Sequence, residues 1–195
     1  LSNALSGQNT GLNCTRTGHL PYSQRLSSVW GYTSPSGTEY ALVGTATGVS
    51  IVDISNPGIP TEVEFIPGGN TNWRELKTWD KYLFVVSEQV NEGILIADLS
   101  TIGQQGGISF QYKLLTVGND TLKTGHTLYI DNGYLYINGS NLASGAPLIF
   151  NLSPDPQNPV YEGTVGTSYA HDAFVRNDTF WGANISNGYF SIYDI

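Results

Sequence analysis

Gly93-Ile94-Leu95-Ile96-Ala97-Asp98-Leu99-Ser100 is a short apolar run, opened by a glycine and closed by an aspartate. A run this short, bounded by turn formers, reads as a buried strand rather than a helix. The pattern recurs as Gly48-Val49-Ser50-Ile51-Val52-Asp53-Ile54-Ser55 and as Gly188-Tyr189-Phe190-Ser191-Ile192-Tyr193-Asp194-Ile195. It also recurs, with one extra residue, as Gly145-Ala146-Pro147-Leu148-Ile149-Phe150-Asn151-Leu152-Ser153. Four copies indicate one supersecondary unit used repeatedly. The closing residues Asp53, Asp98, Asn151 and Asp194 are separated by 45, 53 and 43 positions (98−53, 151−98, 194−151). A period of roughly 45 is that of a four-stranded propeller blade. The glycine-rich stretch 101–108 is expected to absorb the longer middle step.

Outward from this strand the order is constant. A first strand follows a polar loop: Ser28-Val29-Trp30-Gly31-Tyr32, Trp73-Arg74-Glu75-Leu76-Lys77, His126-Thr127-Leu128-Tyr129-Ile130 and His171-Asp172-Ala173-Phe174-Val175. Turn residues such as Asp80-Lys81, Asn132-Gly133 and Asn177-Asp178 come next, and they tolerate the positive φ of tight hairpins. A second strand precedes each copy of the opening stretch: Tyr40-Ala41-Leu42-Val43, Tyr82-Leu83-Phe84-Val85, Tyr134-Leu135-Tyr136-Ile137 and Phe180-Trp181-Gly182-Ala183. An outer strand follows at 62–66, 111–117 and 160–165. No segment carries helical periodicity over ten residues.

The fold expected is all-β, a β-propeller of four-stranded antiparallel blades. About four blades are present, as part of a larger ring. Residues 1–12 read as a flexible leader and 13–22 as an orphan outer strand. Blade 1 spans 23–67, blade 2 68–118 and blade 3 119–166. An incomplete blade 4 spans 167–195. A closed four-bladed ring, with the orphan strand completing the last blade, is the alternative.

Composition narrows the partners. Charged residues are 12% of the chain, and the formal net charge is −8. That excludes nucleic acid, whose affinity rests on Lys and Arg neutralising phosphates, and adsorption to anionic membranes. No run approaches the roughly 18 apolar residues of a membrane helix. The opening Leu1-Ser2-Asn3-Ala4 is small and polar and fits the start of a mature exported chain. The single cysteine, Cys14, excludes an internal disulfide and reads as a half-buried thiol in a strand. Asp53, Asp98, Asn151 and Asp194 each stand alone after an apolar strand, which suits turn capping rather than calcium. Glycosylation sequons occur at Asn13, Asn119, Asn138, Asn151, Asn177 and Asn184.

The series Val29-Trp30-Gly31-Tyr32, Glu39-Tyr40-Ala41-Leu42-Val43-Gly44, Ile51-Val52-Asp53-Ile54-Ser55-Asn56-Pro57 and Trp73-Arg74-Glu75-Leu76-Lys77 resembles the choice-of-anchor B family, built of LVIVD-repeat blades. His126-Thr127-Leu128-Tyr129-Ile130-Asp131 and Ala170-His171-Asp172-Ala173 look like its next blade openings. The resemblance implies an exported or surface protein of bacteria, in a longer propeller, with no catalytic motif to carry over.

Superposing the blades without gaps puts Arg74, His126 and His171 at one position, and Trp30 with them if its hairpin is two residues longer. Starts of inner strands converge on one rim of the axial channel. Trp30, Arg74, His126 and His171 are therefore the candidate ligand-binding mouth, with Glu75 and Asp172 just behind. Such a mouth suits a protein or glycan ligand, and the first function expected is a non-catalytic binding or scaffold module. A divalent metal on His126, His171 and Asp172 is the alternative cofactor, since imidazole suits Zn, Cu, Fe or Ni. It would make the protein a metal-dependent hydrolase. A third reading is cargo or component of a bacterial surface-secretion or envelope complex. The structural alternative is that these side chains bond loop carbonyls and hold neighbouring blades together. No catalytic residue is identified, because no nucleophile elbow, phosphate loop or Cys-His pair is present.

Overall fold

The computed structural model describes residues 13–195; the expected leader over 1–12 lies outside them. Three four-stranded antiparallel sheets follow one another, each in simple meander order. The first holds β1 (Leu26–Thr33), β2 (Glu39–Thr45), β3 (Gly48–Asp53) and β4 (Thr61–Pro67). The second holds β5 (Arg74–Trp79), β6 (Tyr82–Ser87), β7 (Ile94–Asp98) and β8 (Ser109–Lys113). A two-stranded hairpin, β9 (Leu115–Val117) and β10 (Asp120–Leu122), comes next. The third sheet holds β11 (Thr127–Asp131), β12 (Tyr134–Asn138), β13 (Leu148–Asn151) and β14 (Val160–Thr164). A three-stranded sheet of β15 (Asp172–Arg176), β16 (Thr179–Asn184) and β17 (Tyr189–Asp194) ends the chain. The inner strands β1, β5, β11 and β15 are neighbours in chain order. The architecture is that of a β-propeller of four-stranded blades.

Local chemistry explains the hairpins. The turns after β11 and β15 place Asn132-Gly133 and Asn177-Asp178 at positive φ, the requirement of a two-residue turn that follows strand twist. The residues that close the third strands behave as turn caps. Asp53, Asp98 and Asn151 each accept the backbone N–H two residues on, from Ser55 at 2.8 Å, Ser100 at 2.9 Å and Ser153 at 2.9 Å.

Burial explains why the middle strands read as continuous apolar runs. In β6, Leu83 and Val85 pack toward the first sheet while Phe84 and Val86 pack toward the third. Alternating side chains point to opposite faces. Both faces of a blade are covered, so both sets must be apolar. One core fills the space between sheets 1 and 2, and another that between sheets 2 and 3. A smaller cluster around Tyr136, Val165, Val175 and Phe180 joins sheets 3 and 4.

Several local expectations need correction. The strand expected over 111–117 breaks at Leu114, and its second half pairs with β10. Most of the extra length between the second and third units lies here, in the connection 114–126, rather than in the glycine-rich stretch. The hairpin is held because Leu115 and Leu122 enter the core between sheets 2 and 3. The outer strand expected over 13–22 is irregular, with an isolated bridge at Cys14, whose thiol is exposed. A Cβ on Gly18 would stand 2.0 Å from the Pro57 carbonyl oxygen. This strap instead lies against sheet 1, where Tyr22 Oη and Ser50 Oγ are 2.8 Å apart and Gln24 Oε1 accepts from Thr47 Oγ1 at 2.8 Å. Finally, Asn138 and Asn184 are 0% and 3% exposed, which removes both as glycan acceptors.

Candidate functional site

The register fixes which residues are equivalent. Tyr40, Tyr82 and Tyr134 stand opposite Asp53, Asp98 and Asn151. Their partners on the inner strands are Tyr32, Trp79 and Asp131. The corresponding pair in the last sheet is Arg176 with Thr179, opposite Asp194. Five positions before these inner-strand residues lie Ser27, Arg74, His126 and His171. The expected place of Trp30 is thus corrected to the start of β1, where a bulge between Leu26 and Val29 sets Leu26 opposite Thr45, as Arg74 stands opposite Ser87. The first hairpin is longer than assumed, with Tyr32 and its partner Tyr40 eight positions apart, against three for Trp79 and Tyr82. Trp30 packs between sheets 1 and 2. Its Nε1–H donates to Thr78 Oγ1 at 3.0 Å, and the Lys77 ammonium lies 4.6 Å from its ring centroid.

The inner-strand starts enclose a cavity of about 350 Å³. Arg25 and Ser27 line one side, Trp73 and Glu75 another, and His126 and His171 a third. The Ser27 hydroxyl accepts the Arg74 N–H at 2.7 Å, which ties the first two inner strands together at the rim. Glu75 pairs with Lys77.

Arg74 behaves as the structural alternative supposed. It is 1% exposed. Its guanidinium turns back between sheets 1 and 2, donating to the Thr45 carbonyl at 2.6 Å and the Gly69 carbonyl at 2.8 Å. Burial lowers its pKa, and nearby Tyr112 and Glu92 act in the opposite direction. Burial, reinforced by Glu92, pushes the Tyr112 phenol up to about 12.

His126 and His171 do meet. Their Nε2 atoms are 2.9 Å apart, with ring centroids 4.3 Å apart. Thr127 Oγ1 donates to the His171 carbonyl at 2.9 Å and accepts from Asn138 Nδ2 at 3.1 Å, fixing the two strand starts against each other. Behind His126, Glu88 Oε1 stands 2.8 Å from Nδ1. That contact is short but not aligned along the ring N–H, so Nδ1 is buried without a hydrogen bond.

The expected set His126, His171 and Asp172 is not assembled. The Asp172 carboxylate accepts the N–H of Ala173 at 2.8 Å and borders a separate apolar hollow with Phe174 and Phe190. The cause is strand alternation, which turns neighbours 171 and 172 to opposite sides. Among the described residues no group of three or more His, Cys, Asp or Glu is arranged to hold a metal ion. What sequence reasoning missed is Glu88, Trp73, Arg25 and Ser27. Trp73 sits beside Arg74 and is 40% exposed, an unusual place for so large an apolar side chain. Glu88 lies just past β6 and has no periodic signal.

No family model and no curated protein matches the chain. Solved structures do. A candidate 6-phosphogluconolactonase from Bacteroides uniformis superposes with a TM-score of 0.65 at 16% identity, covering 88% of this chain and 50% of that one. A periplasmic gluconolactonase from Pseudomonas aeruginosa gives 0.60 at 12% identity, with the same coverages of 88% and 50%. The chain therefore spans about half the length of these structures. Among the described residues no helix is long and apolar enough to cross a membrane. These neighbours correct two expectations. The resemblance to the choice-of-anchor B family finds no matching model, and the similar folds are instead named as lactonases. The reading as a non-catalytic scaffold is corrected with it, because both of these neighbours are named as lactonases. At these identities the likeness establishes the shared fold, a β-propeller.

Proposed function

We propose that this chain forms part of a lactone hydrolase of the β-propeller type, exported from the cytoplasm, with its reaction centre in the rim cavity. The observation that carries the reading is the His126–His171 pair, 2.9 Å apart and open to that cavity, on a fold shared with lactonases. Its substrate would be the cyclic ester of a sugar acid.

Opening a lactone requires a base for water, a donor for the carbonyl oxygen and a proton for the ring oxygen. The imidazole pair supplies the first and third. One ring takes a proton from water as the oxygen attacks the carbonyl carbon, and a tetrahedral oxyanion forms. The ring C–O bond then breaks, and the stored proton passes to the departing ring oxygen, leaving a hydroxy acid that ionises. Such general acid–base assistance is worth roughly 10²–10⁴ in rate. Arg25 lines the cavity and offers its guanidinium to the oxyanion. Trp73 offers an apolar face on which the ring can lie.

A pH-stat assay with δ-gluconolactone tests the reading. Turnover above the spontaneous rate by the folded protein, lost on His171→Gln, is expected. Hydrolysis no faster than the spontaneous rate, from protein whose circular dichroism shows an intact fold, would overturn it.

A further inference from the structure

The Nε2–Nε2 contact between His126 and His171 requires one nitrogen to donate and the other to accept. Two neutral arrangements satisfy it, and they differ in what they present to the cavity. In one, His126 carries its proton on Nδ1, its bare Nε2 accepts from His171 Nε2–H, and His171 Nδ1 is left with a free lone pair. In the other, His126 Nε2–H donates and its bare Nδ1 faces Glu88. The second sets a lone pair against a carboxylate at 2.8 Å, which is repulsive. The first replaces that lone pair by an N–H, whose partial positive charge attracts the same carboxylate even though the contact lies off the N–H axis. Only the first leaves a base on His171, whose Nδ1 has no protein partner among the described residues.

We infer that Glu88 is the positioning residue of the rim site: across the blade 2–blade 3 boundary it selects the Nδ1–H form of His126 and thereby makes His171 Nδ1 the base. This rests on the lactone-hydrolase reading for its catalytic consequence, but not for its tautomer assignment. Glu88 is well placed for the task. It follows β6 directly, and its N–H donates to the Trp73 carbonyl at 3.1 Å, extending the ladder by one residue and fixing its backbone. Its neighbour Gln89 turns the chain with a φ of 65°. The side chain is 30% exposed, while that of His126 is 11% exposed, so the charge acts on a largely desolvated ring.

The proton balance closes. His171 Nδ1 takes a proton from the attacking water, and the electron pair of that O–H bond forms the new C–O bond. His171 then passes its Nε2 proton to His126 Nε2. The positive charge comes to rest on His126, against the Glu88 carboxylate. The return journey delivers a proton to the ring oxygen as its bond to carbon breaks. The other charged groups around the pair are Arg25 of the strap, Glu75 of β5 and Asp172 of β15. Tyr169 also lies near Glu88, and both burial and that carboxylate raise its pKa. None of these touches His126 Nδ1.

Heteronuclear NMR of the imidazole rings tests the assignment directly, in wild-type protein and in Glu88→Gln. The wild type is expected to show the Nδ1–H form at His126 and the Nε2–H form at His171, and Glu88→Gln is expected to mix the two forms. In the pH-stat assay Glu88→Gln is expected to lower kcat about 10- to 100-fold with KM unchanged, and Glu88→Asp to recover part of the loss. A wild-type spectrum with Nε2–H at His126, or one that Glu88→Gln leaves unaltered, overturns the inference. If the wild type shows the expected forms yet opens no lactone, the functional reading fails and the tautomer assignment stands.

Discussion

Arg74 and His126 occupy the same place in consecutive blades, five residues before the end of an inner strand, and they do different work. Arg74 sends its guanidinium backward between sheets 1 and 2 and spends it on backbone carbonyls. His126 keeps its ring at the rim, against His171 and Glu88. Side-chain length and the space behind the strand decide the difference. Gly68 leaves room for the guanidinium, since a Cβ there would stand 2.9 Å from Arg74 Nη2. Behind His126, Gly139 lets the chain pass close to the base of the side chain, where a Cβ would stand 2.7 Å from the histidine Cβ, and the ring stays at the rim. An equivalent position in a repeat thus fixes where a backbone starts, not what the side chain is for.

The comparison breaks most easily at its catalytic half. His171→Gln is expected to cut lactone turnover by about 100-fold or more, while the thermal midpoint moves by only a few degrees, as expected for about one lost hydrogen bond. Arg74→Met should do the reverse. It strips donors from the buried Thr45 and Gly69 carbonyls, and a loss of ~2–4 kcal/mol in denaturant unfolding is expected, with turnover retained below the transition. A stable Arg74→Met protein with no turnover would dissolve the distinction.

Two smaller effects sharpen the structural side. Burial first, and Asp131 and Tyr134 after it, push the Tyr136 phenol up to about 12 in the folded protein, against roughly 10 in an unfolded chain. A raised value favours the neutral folded form, so this contribution is complete below pH ~10 and is lost as pH climbs toward 12. Tyr136→Phe should therefore move the alkaline unfolding midpoint upward in a pH titration of ellipticity. Trp30→Phe removes the bond to Thr78 but keeps the aromatic packing, and a cost of ~1 kcal/mol is expected, with unchanged turnover. A large activity loss on that change would return Trp30 to the site.

Much of this was legible in the chain, and the reasons are physical. Continuous apolar runs in strands such as Tyr82–Ser87, with turn formers at a fixed spacing, reflect blades covered on both faces, which leaves few alternatives. The convergence of Arg74, His126 and His171 followed from the same spacing. Trp30 was misplaced because the length of a hairpin loop is set by its turn, and Ser34-Pro35-Ser36-Gly37-Thr38 has no period to align. The β9–β10 hairpin was hidden because Leu115 and Leu122 are single anchors in short strands. Glu88 was invisible because its partner lies in another blade. The pairing exists only after the blades pack, and so does the direction in which Arg74 points.

The open lone pair on His171 is the centre of the account, and the pH profile of kcat/KM for δ-gluconolactone reads it most directly. The base must be unprotonated, so the profile should fall on the acid side in wild-type protein, and His171→Gln should flatten that limb at a rate near the spontaneous one. A wild-type profile with no acid limb, or one that His171→Gln leaves intact, would contradict the account.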